Sequence, residues 1–191
     1  IVGAGLVGSL LACLLADRGY KIKIFEKRSD PRKANLDSGR SINLALSNRG
    51  LKALEMAGMT DKVKDWLIPM HGRLMHSTEG DLTFQPYGKE GQFINSVSRS
   101  GLNLVLIEQA DRNEHVELFF NQKCLDINLE ASKLTFEDYT TGKVQEVQSE
   151  FVFGTDGAFS AVRSAMQRTD RFNYEQSYIP HGYKELSIPA T

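Results

Sequence analysis

The chain opens IVGAGLVGSLLACLLADRGYKIKIFE, in which Gly3, Gly5 and Gly8 have the spacing GxGxxG and a carboxylate, Glu26, follows eighteen residues after the last glycine. No other stretch narrows the fold as much. Gly3 permits a tight turn after a strand, Gly5 lets a diphosphate approach the backbone, and Gly8 lets the following helix pack closely on that strand. The unpaired N–H groups and partial positive charge of the helix N-terminus favour phosphate. Glu26, ending a second apolar run, is placed to accept hydrogen bonds from an adenosine ribose, and its charge disfavours a 2′-phosphate. A bound dinucleotide other than NADP is therefore expected. The spacing alone does not choose between FAD and NAD. Val7 inside the motif and Lys27 and Arg28 beside the acid complete this candidate set, although a solvated arginine is an equal reading of Arg28.

The first 28 residues read strand, helix, strand, with Leu10, Leu11, Leu14 and Leu15 as the helical stripe and Gly19 as the stop. Residues 29–40 are polar and predict a long loop. Ser47 is placed to cap a helix running to Ala57, with a short helix from Thr60 to Trp66 after Gly58. Residues 70–98 alternate short extended pieces with Gly and Pro turns, which predicts a small inserted sheet. Ser100 is read as the start of a helix with Leu102, Val105, Leu106 and Ile107 inward. Then come VELFF, KCLDINL, KLTFED and KVQEVQSEFVF, a strand and an antiparallel meander. FVFG is apolar enough for an interior strand, Ser160 to Gln167 reads as a helix, and YKELSI (183–188) as a last strand.

The whole is an α/β chain. With 191 residues, 41% hydrophobic, 25% charged and formally −1 at pH 7, it has material for a core and no basic excess to suggest nucleic acid. No apolar run reaches the roughly eighteen residues that span a bilayer, so no membrane contact is expected from this segment. Cys13 and Cys124 lack metal-ligand spacing and read as free thiols. His71 and His76, five apart, fall on opposite faces of a regular strand and make an improbable metal pair. The opening strand is short against a mean of about five residues, which predicts that it starts upstream of Ile1.

A second motif lies at GTDGAFSAVRSAM, residues 154–166, where Asp156 and Gly157 follow an apolar strand and precede a helix carrying Arg163. Taken alone it reads as a helix-start turn. Joined to the glycine turn, its Asp156, Gly157, Ser160 and Arg163 resemble the second fingerprint of the FAD-dependent aromatic hydroxylases. The segments GRSINLALSNRG (39–50), IPMHGRLMH (68–76), Tyr87-Gly88, INSVSRSGLN (94–103) and YIPHGYKELSIP (178–189) are similar to the kynurenine 3-monooxygenase branch of that family, and they span nearly the whole chain.

The resemblance implies a Rossmann-like FAD-binding domain of the aromatic hydroxylase type, at 1–70 and 92–170, with an antiparallel substrate-side sheet to which 71–91 and 171–191 contribute. It implies bound FAD, with NADPH as a transient reductant, and hydroxylation of L-kynurenine by O2 to 3-hydroxy-L-kynurenine in tryptophan degradation. Arg73 and Tyr87 would hold the substrate carboxylate, a two-pronged cation and a neutral hydroxyl suiting that task; a solvated arginine and a packing tyrosine are the plain alternatives. Arg99 and Cys124 would contact FAD and Ala45 would line its site, with Arg40 and Asn43 as weaker candidates. No acid, base or nucleophile is assigned, because the cofactor carries the chemistry. Family members also have a later Gly-Asp motif and C-terminal pocket elements not found in these residues. Bacterial members are cytoplasmic and eukaryotic ones anchored to the mitochondrial outer membrane. A homodimer is compatible with the sequence but has no signature in it. Another FAD aromatic hydroxylase, an NAD-binding dehydrogenase and a non-catalytic cofactor-binding module are the competing readings.

Overall fold

The structure, a computed structural model, describes residues 1–33 and 43–182. Arg40, much of the loop expected over 29–40 and the strand expected at 183–188 lie outside the described residues. In chain order the elements are α1 (Leu6–Ala16), β1 (Ile22–Phe25), β2 (Asn43–Leu46), α2 (Asn48–Met56), α3 (Thr60–Val63) with a 3-10 turn over Lys64–Trp66, β3 (Ile68–Met70), β4 (Gly72–His76), β5 (Leu82–Pro86), β6 (Ile94–Ser98), α4 (Arg99–Asp111), β7 (Val116–Phe119), β8 (Gln122–Asn128), β9 (Lys133–Asp138), β10 (Val144–Gln148) and α5 (Ala161–Met166).

The central layer is parallel. β1 pairs with β7, Ile22 opposite Val116 through Phe25 opposite Phe119. On the other side of β1, Val2 bridges both Phe25 and Gly154, each in parallel. The opening residues therefore lie between β1 and the segment before Asp156, held by Gly3 N–H to Phe25 O at 2.7 Å and Thr155 N–H to Val2 O at 2.8 Å. This is the Rossmann-like frame expected from the glycine turn, and it brings both sequence motifs to one end of the sheet.

Helix α1 departs from the expected leucine stripe. Its buried residues are Gly8, Ser9, Ala12, Cys13 and Ala16, while Leu10, Leu14 and Leu15 flank the core half-buried. Small residues let α1 come close to the sheet and to α4, so the leucines fill the margins. Cys13 is fully inside, and burial pushes its thiol up to about 11. The first core joins this face to Ile24, Val97, Leu106, Ile107, Met59 and Val63. A second core sits over the β8–β9–β10 meander, where Phe25 stacks on Phe119 at 4.8 Å and on Phe136 at 4.1 Å between ring centroids.

Three other expectations are corrected. α4 starts at Arg99, and Ser98 rather than Ser100 is its cap, accepting the Gly101 N–H at 3.2 Å; the end of β6 runs straight into the helix. Ser47 precedes α2 but its side chain makes no capping bond. FVFG is not an interior strand: Phe151 is 73% exposed and Phe153 41%, since among the described residues this segment bridges only Val2 and forms an edge.

Residues 68–98 divide between two sheets. β3 and β6 join β2 in an antiparallel sheet of order β2-β6-β3, while β4 and β5 form a separate hairpin. Every residue of the hairpin strands except Gly72 is exposed. No helix among the described residues is long and apolar enough to cross a membrane.

Candidate functional site

The glycine turn is built by close approach. Gly3 has φ +98°, and a Cβ there would meet Thr155 O at 2.7 Å; a Cβ on Gly8 would fall 2.0 Å from Gly3 O. Both positions are closed to a side chain by the protein itself. Gly5 differs, because a Cβ there meets nothing within 4 Å. Protein atoms thus leave space beside Gly5, the residue expected to let a diphosphate reach the backbone. Val7, on the first turn of α1, is 67% exposed.

Glu26 is 5% exposed at the end of β1. Its Oε2 accepts the Ala4 N–H at 2.8 Å, and its Oε1 accepts the Arg28 N–H at 3.0 Å and Arg28 Nε at 2.8 Å. Burial disfavours its charge, but the Arg28 hydrogen bonds and charge and the Ala4 N–H outweigh that and hold its pKa below the ordinary carboxylate range. A carboxylate has about four acceptor sites, so three donors leave capacity for one more. Lys27 and Arg28 are both exposed. Next to them, Asp30 receives Arg32 through two bonds of 2.8 Å, and Arg32 also pairs with Asp111. This brace carries no spacing signal that sequence reading could have used.

In the second motif the side chains turn toward their own helix. Asp156 Oδ1 accepts the Ser160 hydroxyl at 2.5 Å and Oδ2 accepts the Ala161 N–H at 2.7 Å. Ser160 in turn accepts the Arg163 N–H at 2.9 Å. Arg163 donates to the carbonyls of Gly157 and Ala158 and lies over the Tyr174 ring. Asp156 and Ser160 thus satisfy the open N–H groups of α5, and Gly157 turns at φ +82°. Cys124, on β8, is half-buried; its thiol is pushed up to about 11 by burial and then by the carboxylates of Asp156 and Asp126. Thr155 is the residue that sequence reading missed. Its hydroxyl lies 2.8 Å from both Val2 O and Gly3 O.

Arg73 and Tyr87 lie on the hairpin. Arg73 is opposite Gln85 and donates from Nε to Gln85 Oε1 at 2.7 Å; the Tyr87 N–H bonds His71 O at 2.9 Å. Cross-strand partners and residues two apart share a face. Arg73, Gln85, Tyr87 and His71 are therefore on one side, and Leu74, Leu82 and Phe84 on the other. Among the described residues no hydrogen bond or ion pair joins Arg73 or Tyr87 to the glycine turn. Arg99 at the start of α4, and Asn43 and Ala45 on β2, are exposed. A cleft of about 970 Å³ runs along β1 and the opening residues, lined by residues including Val2, Tyr20, Ile22, Phe25, Leu134 and Phe151. Its lining reaches Val2 and Phe25, next to Gly3 and Glu26, but takes in neither Gly5, Glu26 nor Asp156.

Kynurenine 3-monooxygenase of Myxococcus xanthus is 44% identical over 191 residues, all of this chain and 41% of the relative. The enzyme of that name from Sus scrofa is 40% identical over 190 residues, 99% of this chain and 40% of the relative. The chain thus spans about two fifths of the length of these relatives. Among solved structures, the flavin-dependent monooxygenase PieE, in complex with FAD and substrate, matches with a TM-score of 0.73 at 19% identity, over 87% of this chain and 31% of that one. p-Nitrophenol 4-monooxygenase PnpA from Pseudomonas putida matches with a TM-score of 0.70 at 22% identity, over 86% and 42%. At such identities the structural likeness speaks for the fold. The family model described as FAD binding domain matches residues 1–182, from the glycine turn through both motifs, and the chain belongs to that family.

Proposed function

We propose that this chain is the FAD-holding part of an NADPH-dependent monooxygenase that hydroxylates L-kynurenine to 3-hydroxy-L-kynurenine. The observation that carries the reading is identity of 40% to 46% along essentially the whole chain with relatives named kynurenine 3-monooxygenase. The turn suits the cofactor: space lies open beside Gly5 where a diphosphate needs it, and Glu26 keeps acceptor capacity for a ribose hydroxyl. Gly3, Gly5, Val7, Gly8, Glu26, Lys27 and Arg28 form the first part of this site, with Asp156, Gly157, Arg163, Cys124, Ala45, Asn43 and Arg99 as its further residues. When bound, FAD supplies the activation of O2. Residues 1–70 and 92–170 are assigned to holding it.

The hairpin within 71–91, with 171–191, is assigned to the substrate. Arg73 would grip the amino-acid carboxylate through its remaining guanidinium N–H groups while Gln85 steadies Nε, and Tyr87 would add a hydroxyl from the same face. Both act by orientation, which accounts for the lack of an assigned acid, base or nucleophile. The test uses the full-length protein. Kynurenine should accelerate NADPH oxidation with formation of 3-hydroxykynurenine, and acceleration without that product overturns the assignment. In the same protein Arg73→Ala should weaken kynurenine binding by roughly tenfold or more and divert NADPH to hydrogen peroxide. Unchanged affinity and unchanged peroxide would remove Arg73 from the site.

A further inference from the structure

We propose that Thr155 is a positioning residue for the cofactor, fixing the orientation of the peptide group between Gly3 and Ala4; the proposal rests on reading the turn as the FAD site. Thr155 is 152 residues from Gly3 in sequence, yet its Oγ1 lies 2.8 Å from Gly3 O. Val2 O, equally near the hydroxyl, already accepts the Thr155 backbone N–H at 2.8 Å. For Gly3 O the hydroxyl is the hydrogen-bond donor present among the described residues, so the hydroxyl proton is best used there. A buried carbonyl without a donor is costly.

The other pole of the same peptide group is held from the opposite side. Ala4 N–H donates to Glu26 Oε2 at 2.8 Å. Because a peptide unit is planar, a donor on its oxygen and an acceptor on its N–H fix its rotation. Gly3 at φ +98° supplies a backbone that would otherwise turn freely. That plane sets the direction in which the chain enters Gly5 and the N-terminus of α1. The two flanking glycines make room for the clamp: a Cβ on Gly8 would lie 2.5 Å from Thr155 Oγ1, and a Cβ on Gly3 would lie 2.7 Å from Thr155 O. Gly3 and Gly8 therefore both lie against Thr155, and a Cβ on Gly8 would also fall 2.0 Å from Gly3 O, whereas Gly5 faces open space.

The test measures FAD dissociation constants by flavin fluorescence on the apo form of the full-length protein, alongside the thermal midpoint of each apoprotein. Thr155→Val keeps the shape and loses the hydroxyl; Thr155→Ser keeps the hydroxyl. The valine variant should bind FAD about tenfold more weakly, with an apoprotein midpoint lowered by the unpaired Gly3 carbonyl, and the serine variant should stay within about twofold of wild type in affinity at a near wild-type midpoint. A role in folding alone would lower the midpoint and leave the folded protein's FAD affinity in place. Because Thr155 and Glu26 hold one peptide group, Thr155→Val and Glu26→Gln should combine non-additively. Should the valine variant be unfolded by circular dichroism, Thr155→Ala is read in the same way against serine. Wild-type protein that takes up no FAD overturns the cofactor reading itself. Wild type that binds FAD with a valine variant of equal affinity, or strict additivity with Glu26→Gln, overturns the clamp.

Discussion

Gly5 and Gly8 occupy one motif and answer to different demands. A Cβ on Gly8 collides with Gly3 O, whereas one on Gly5 has no protein atom within 4 Å. Gly8→Ala should therefore destabilise the apoprotein by about 1–3 kcal/mol. Gly5→Ala should shift its stability by no more than about 1 kcal/mol and yet, if the open space beside it is where the diphosphate sits as proposed, weaken FAD binding by on the order of tenfold or more. Urea unfolding and flavin titration of the two variants separate these outcomes. Glu26 adds a pH signature. Although burial opposes its charge, Arg28 and the Ala4 N–H hold its folded pKa below the ordinary value, so the folded state binds fewer protons there than the unfolded one. Its contribution is present above the unfolded pKa and is lost as pH falls through the folded one. Between about pH 5 and about pH 3 the urea midpoint of the wild type should fall more steeply than that of Glu26→Gln. These glycines and this acid were legible because each stands at a fixed distance from the others along the chain. Thr155 was not, because a threonine hydroxyl has no spacing signature and its partner is 152 residues away.

Among the elements, α5 shows how a motif conceals its mechanics. Asp156, Ser160 and Arg163 stand at the positions the family likeness requires, and the hydrogen bonds show them closing the helix start and its loop. The pattern of residue types was readable; the direction of each side chain was not, because capping and ligand contact call for the same small polar residues at a helix entry. The hairpin β4–β5 presents the opposite case. Alternation announced two strands, and the sequence also suggested that they belong with β6. In the structure β6 pairs with β2 and β3 instead, a long-range choice that period-two patterning leaves open. With Leu74 at 53%, Leu82 at 59% and Phe84 at 59% exposed, a two-stranded ribbon of this kind has little to hold it beyond its own ladder. In the described chain, hydrogen exchange should be faster at the amides of β4 and β5 than at those of β8 and β9, which bury Ile127, Leu134 and Phe136. Equal protection would show that the hairpin is covered.

At the scale of the whole molecule, two cores share β1: Ile22 and Ile24 belong to the first and Phe25 to the second, where it stacks on rings from β7 and β9 one residue before Glu26. The parallel frame and the meander were foreseeable from local patterning, while their junction depended on which apolar residues come together across the chain. Val2 between Phe25 and Gly154 has a consequence for biogenesis. A ribosome releases the glycine turn 152 positions before the hydroxyl that reaches Gly3, and the segment that flanks Val2 follows equally late. Such a distant pairing is slow to close and leaves early segments exposed in the meantime. If the glycine turn is the nucleotide site, as proposed, its two halves are synthesised far apart in time, and FAD loading is expected only after Thr155 has emerged from the exit tunnel.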